Sequence, residues 1–94
     1  MSVLAELSIF PINQSISLSP YVSRAVKIID QSGLDYKIGA MGTTIEGNWS
    51  EVMNVVDKCF QELSQDCNRI YLTLKIDYYK DRTGMLKHKV DSVR

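Results

Sequence analysis

Six polar residues, Glu6, Ser8, Thr44, Glu46, Thr73 and Lys75, stand among apolar or β-branched neighbours at alternating positions. Two are carboxylates, three are hydroxyls and one is an ammonium. Such a set can orient a small molecule by charge and hydrogen bonds while aromatic and aliphatic side chains hold its rings. Glu6 and Glu46 are charged hydrogen-bond acceptors. Ser8, Thr44 and Thr73 could complete the hydrogen bonds. Lys75 is a donor that needs a carboxylate partner if the face is buried. This is chemistry of binding and not of catalysis, because no nucleophile stands beside a base. Cys59 and Cys67 fit neither a CxxC motif nor a zinc spacing, and His88 is the one histidine. No metal site and no enzyme are expected. Both cysteines read as structural thiols of a reducing compartment.

These residues need elements to position them. Val3 to Phe10 alternates as a strand does, and Pro11 ends it. Ser19-Pro20 reads as a helix start, with serine at the cap and proline at the first position. Val22, Ala25, Val26 and Ile29 recur at helical spacing before Gly33. Tyr36 to Met41 and Thr43 to Glu46 read as two short strands about a turn at Gly42. A second helix follows, capped by Asn48 or Ser50, with the apolar stripe Val52, Val55, Val56, Cys59, Phe60 and Leu63. Arg69 to Tyr79 is the longest strand, and Met85 to Val93 a short helical tail. Cys59 falls on the apolar stripe and should be buried; Cys67 follows the stripe and should be more accessible.

Two βαβ units of this length predict an α+β domain, βαββαβ, with a four-stranded antiparallel sheet and two helices on one face. Alternation then sorts the side chains. Val3, Ala5, Leu7, Ile9, Ile38, Ile45, Ile70, Leu72, Leu74 and Ile76 belong under the helices. Leu4, Glu6, Ser8, Phe10, Lys37, Gly39, Met41, Thr44, Glu46, Tyr71, Thr73, Lys75 and Asp77 belong to the opposite face. That face is too apolar for a plain solvated surface and too polar for a core. Packed on a second copy, it would bury its polar groups, which then need partners. A ligand is one candidate partner and an intersubunit Glu6–Lys75 pair is another. A plain solvated face is the bland alternative, and for Glu46 the bland alternative is support of the following helix N-terminus.

The totals bound the function. A chain of 94 residues fits one domain, residues 1–94, and a domain this small gains from a partner subunit. Eleven basic and 11 acidic residues cancel, so the basic excess of a nucleic-acid binder is missing. No apolar run approaches the roughly 20 residues that span a bilayer. No signal-peptide pattern opens the chain, which makes cytoplasm the expected compartment.

Several segments together resemble the small thiamine-binding protein family. They are Glu6-Leu7-Ser8-Ile9-Phe10-Pro11, Ser17-Leu18-Ser19-Pro20, Gly33-Leu34-Asp35-Tyr36-Lys37-Ile38-Gly39, Gly42-Thr43-Thr44-Ile45-Glu46-Gly47, Lys75-Ile76-Asp77 and Lys89-Val90-Asp91-Ser92-Val93. The resemblance covers almost the whole chain. It implies a ferredoxin-like fold, sheet-on-sheet dimers that associate as a homotetramer, and binding of thiamine or its pyrimidine part without transformation. Members often carry an arginine soon after the Ile-Asp pair; here Tyr78-Tyr79-Lys80 intervenes before Arg82. The expected function is therefore non-catalytic binding of thiamine, or a related heteroaromatic molecule, on the sheet face of a homo-oligomer. The competing expectation is a structural or regulatory homo-oligomer without a thiamine site.

Overall fold

Strand alternation is realised most completely in β1 (Val3–Pro11), where every second side chain from Val3 to Pro11 is buried. The computed structural model describes residues 2–12 and 17–93. Along the chain β1 is followed by α1 (Ser19–Gln31), β2 (Asp35–Ile38), β3 (Thr43–Gly47), α2 (Trp49–Ser64), β4 (Ile70–Tyr78) and α3 (Met85–Asp91). The strands form one antiparallel sheet in the order β2-β3-β1-β4. This is the α+β, ferredoxin-like arrangement that two βαβ units predict.

Local chemistry sets the helix ends. Asn48 caps α2 reciprocally: its side chain accepts from the Glu51 amide at 2.8 Å, and the Glu51 carboxylate accepts from the Asn48 amide at 3.1 Å. α1 differs from the expectation. Ser19 is already helical, Leu18 holds the cap position, and the Ser17 hydroxyl accepts from the Ser19 amide at 3.2 Å. Pro20 sits in the first turn, where a missing N–H costs nothing. Gly33 ends the α1 region at φ +77°, a conformation that favours glycine.

The core lies between the sheet and α1 with α2. Val3, Ala5, Leu7, Ile9 and Ile45 meet Ala25, Ile29, Val52, Val55, Val56, Cys59 and Leu63. Arg24 ties the two helices together. Its guanidinium reaches the Glu62 carboxylate at 2.8 Å and Asp66 at 2.9 Å, and it also donates to the Glu62 carbonyl. Those bonds, from Arg24 to Asp66 first, hold the Asp66 carboxyl below its usual range.

Three expectations need correction. Leu72 and Ile76 point to the helix side but are 37% and 36% exposed. The reason is lateral: α2 rests on β1 and β3, and α1 on β1 and β2, so the edge strand β4 lies beyond both. Ile38, at the end of the other edge strand, and Phe60, at the margin of the α2 stripe, are exposed too. Cys67 is buried and not accessible. After α2 the chain turns back, the Cys67 amide donating to the Leu63 carbonyl at 3.0 Å, and the thiol joins the core. Cys59 is buried as expected, and burial pushes its thiol up to about 11, which leaves it unreactive at neutral pH.

Among the described residues, no helix is long and apolar enough to cross a membrane. None of their His, Cys, Asp and Glu side chains gather into a group that could hold a metal ion.

Candidate functional site

Register turns the open face, opposite α1 and α2, into four rows. Asp35, Glu46, Leu4 and Asp77 lie side by side across the strands. The next row is Lys37, Thr44, Glu6 and Lys75. Ser8 and Thr73 form the third row, and Phe10 and Tyr71 the fourth. Glu6 is thus on the central strand, with Thr44 on one flank and Lys75 on the other.

α3 lies over the first row at Glu46. It begins at Gly84, whose φ of +67° suits glycine, and lies over β3. Glu46 is buried beneath its first turn. The carboxylate accepts from the Met85 amide at 2.8 Å, the Leu86 amide at 3.2 Å and the Ser2 hydroxyl at 2.7 Å. Burial alone would raise this carboxyl. The bonds from Ser2, Met85, Leu86 and Gly84 outweigh burial and hold it below the ordinary carboxylate range. An ion pair between Lys89 and Asp77 holds the helix at the β4 side. The Ser2 amide closes the arrangement by donating to the Arg82 carbonyl at 3.2 Å. Glu46 does support a helix N-terminus, but that of α3 and not that of α2, which follows it in sequence.

The other rows stay open. Glu6 and Lys75 form an ion pair of 3.0 Å, with side chains 40% and 74% exposed. A pair this exposed contributes at most about 1 kcal/mol, so either partner is available to a better one. The Phe10 and Tyr71 rings stack with centroids 5.6 Å apart. Between ring stack and ion pair lie the hydroxyls of Ser8 and Thr73. Five of the six residues singled out in the sequence, Glu6, Ser8, Thr44, Thr73 and Lys75, therefore share two adjacent rows. Glu46 shares their face but is saturated by its own helix. Sequence reasoning also placed Phe10 and Tyr71 on this face without recognising that they pair directly; their offsets along two antiparallel strands carry that signal once the register is known.

One feature beside this strip escaped sequence reasoning. The β1–β3 ladder ends at Leu7 and Thr43, and the β2–β3 turn leaves a notch against β1. The notch has a volume of about 260 Å³ and is lined by Ser8, Ile9, Phe10, α1 and residues 38–43. Gly42 closes its corner: a Cβ there would stand 3.0 Å from the Leu7 carbonyl oxygen and 3.2 Å from Glu6 Cγ.

The fold is shared with solved structures. MJ1052 of Methanocaldococcus jannaschii superposes with a TM-score of 0.89 at 30% identity, over 98% of this chain and 95% of that one. TM0486 of Thermotoga maritima, whose name gives it a candidate role in thiamine biosynthesis or salvage, superposes at 0.89 with 29% identity over the full length of both chains. A UPF0045 protein of Methanothermobacter thermautotrophicus is 37% identical over 95 residues, 98% of this chain and 96% of its own. The family model of the thiamine-binding proteins matches residues 5–94. That match begins one residue before Glu6 and takes in the open strip, the notch and the α3 cover alike, so the chain belongs to the thiamine-binding protein family.

Proposed function

We propose that this protein binds thiamine, or a closely related small heteroaromatic molecule, on the open face of its sheet and does not transform it. One observation carries the reading: the uncovered half of the face sets a stacked aromatic pair, two hydroxyls and an exposed carboxylate in a single strip. Thiamine is a cation with an aminopyrimidine ring. An aromatic wall suits the ring, hydroxyls suit its polar edge, and Glu6 suits the charge. Glu6 meets the ligand by exchanging Lys75, a weakly held partner, for the ligand's cation. Family membership supports the same ligand class.

The protein acts as a homo-oligomer in this reading, a dimer of dimers. The exposed apolar side chains of the open face, above all Tyr71, and of the β4 edge, Leu72 and Ile76, favour coverage by further copies. Light scattering at micromolar concentration should give a mass above that of one chain; a monomer would remove this part.

Calorimetry with thiamine on the wild type and on Glu6→Gln tests the site. The substitution keeps shape and removes charge. The expected loss is about 1.5–3 kcal/mol, roughly ten- to a hundredfold in Kd. Equal affinity in both proteins would take Glu6 out of the site. The second reading, a structural oligomer, draws on the Glu6–Lys75 pair being satisfied inside one chain. An intact oligomer whose wild type binds no thiamine would favour it.

A further inference from the structure

Charge alternates across the second row of the open face. Register sets Lys37 opposite Thr44, Thr44 opposite Glu6, and Glu6 opposite Lys75. Neighbouring strands lie ~4.8 Å apart, so Lys75 is one step from Glu6 and Lys37 is two. The row therefore carries two ammoniums for one carboxylate. The acids of the first row do not cancel this excess. Glu46 is taken up by the Met85 and Leu86 amides and the Ser2 hydroxyl, and Asp77 by Lys89. Asp35 precedes Lys37 by two residues on the same face of β2, yet among the described residues Lys37 forms no ion pair.

A ligand that is only a cation worsens the imbalance. Glu6 and Lys75 hold each other at 3.0 Å. When Glu6 turns to the cation of a ligand, Lys75 loses its partner. The row then holds three positive charges beside one carboxylate, all within a few strand spacings, and screening over a Debye length of about 8 Å removes only part of the repulsion. A ligand that brings an anion together with its cation reverses the sign. A phosphate monoester carries about −1.5 to −2 at neutral pH and offers three acceptor oxygens. Two exchanges then occur at once: Glu6 takes the cation and Lys75 takes the phosphoryl group. No charge is left without a partner. Thr73 precedes Lys75 by two residues on the same face of β4, so its hydroxyl adds a neutral donor on that side. Lys37, on the far flank, adds attraction at longer range.

We propose that the preferred ligand of the open face is a phosphate monoester of the heteroaromatic cation and not the free alcohol, with Glu6 holding the cation and Lys75 the phosphoryl group. The inference rests on the thiamine-class reading and deepens it by assigning the ligand's charge. It turns Lys75 from a competitor of the ligand into the residue that selects its phosphorylated form. The exposure of the Lys75 side chain, 74%, leaves it free to swing from Glu6 to an anion above the sheet.

Calorimetry on the full chain compares thiamine, thiamine monophosphate, and thiamine with added inorganic phosphate. The monophosphate should bind at least about tenfold more tightly than thiamine, the effect of one charge-assisted contact, and its lead should shrink as salt is raised. Lys75→Met, at an exposed site, should fold normally and abolish the preference: the monophosphate loses at least about tenfold while thiamine does not weaken. Lys75→Arg keeps the charge and should keep the preference. Equal or weaker binding of the monophosphate by the wild type, with thiamine still bound, would overturn the proposal and leave the thiamine reading standing. So would an undiminished preference in Lys75→Met. If inorganic phosphate raises the affinity for thiamine to that of the monophosphate, the anion is a separate ligand and the monoester assignment fails. Binding of neither compound would overturn both readings.

Discussion

Glu6 and Glu46 belong to the same face of the same sheet, in adjacent rows, and their situations are opposite. Glu46 is buried and accepts from the amides of Met85 and Leu86 and from the Ser2 hydroxyl. Glu6 is half-exposed and holds one flexible lysine. What separates them is α3, whose first turn lies on Glu46 and donates two amides to it. A carboxylate that satisfies fixed backbone donors is part of the architecture, whereas one whose partner among the described residues is an exposed ammonium can exchange it. Side-chain type and alternation are identical in the two cases; the cover decides the role.

The contrast is open to attack at several strengths. Glu46→Ala should have the largest effect, about 2–4 kcal/mol of lost stability, because two amides lose a charged acceptor beneath a helix. Thermal melts would read the loss, and fast exchange of the Met85 and Leu86 amides would locate it. If those amides stay protected, Glu46 is not what docks α3. Glu6→Gln should instead change stability by less than about 1 kcal/mol, its effect appearing in thiamine binding.

Acid separates the same two carboxylates. The Glu46 carboxyl is lowered in the folded state relative to 4.5, so its contribution is complete above that value and is lost as pH falls through its folded value. The α3 amides should therefore lose protection below pH 4.5, ahead of the amides in the β1–β4 ladder. Simultaneous loss across the whole chain would show that α3 is held by other means. The smallest expected effect is at Lys75. Lys75→Met frees Glu6 and removes a competing cation, which should tighten thiamine binding about twofold to fivefold by calorimetry. Weaker binding would mean that Lys75 itself contacts the ligand.

The difference between the two carboxylates also marks how far the sequence could be read. Period-two alternation in Val3–Pro11 and Ile70–Tyr78 fixes which side chains share a face, and strand order follows from the βαββαβ pattern. Asn48 and Glu51 carry a local capping signal that needs no tertiary knowledge. The placement of α3 has no such signal. Its acceptor is Glu46, distant along the chain, and nothing in Met85–Asp91 says which row it covers. The exposure of Leu72 and Ile76 was hidden for a related reason: alternation gives the side of a sheet, not how far the helices extend across it. The notch depends on where the β2–β3 hairpin ends, and the apolar Ile38 and Met41 read as a longer strand than the one that forms.

The sheet order has a consequence for how the chain is made. β1 is synthesised first and occupies the middle of the sheet, yet both of its neighbours come later: Val3 pairs with Gly47 and with Tyr78. The β2–β3 hairpin can close locally, whereas β1 must wait for Ile70–Tyr78 to be translated, at ~5–20 residues per second, before its second edge is satisfied. Until then the most apolar strand of the protein is an open template on the ribosome. Completion of the sheet is thus timed by β4, and the pairing that closes it is among the longest-range and slowest of these strands.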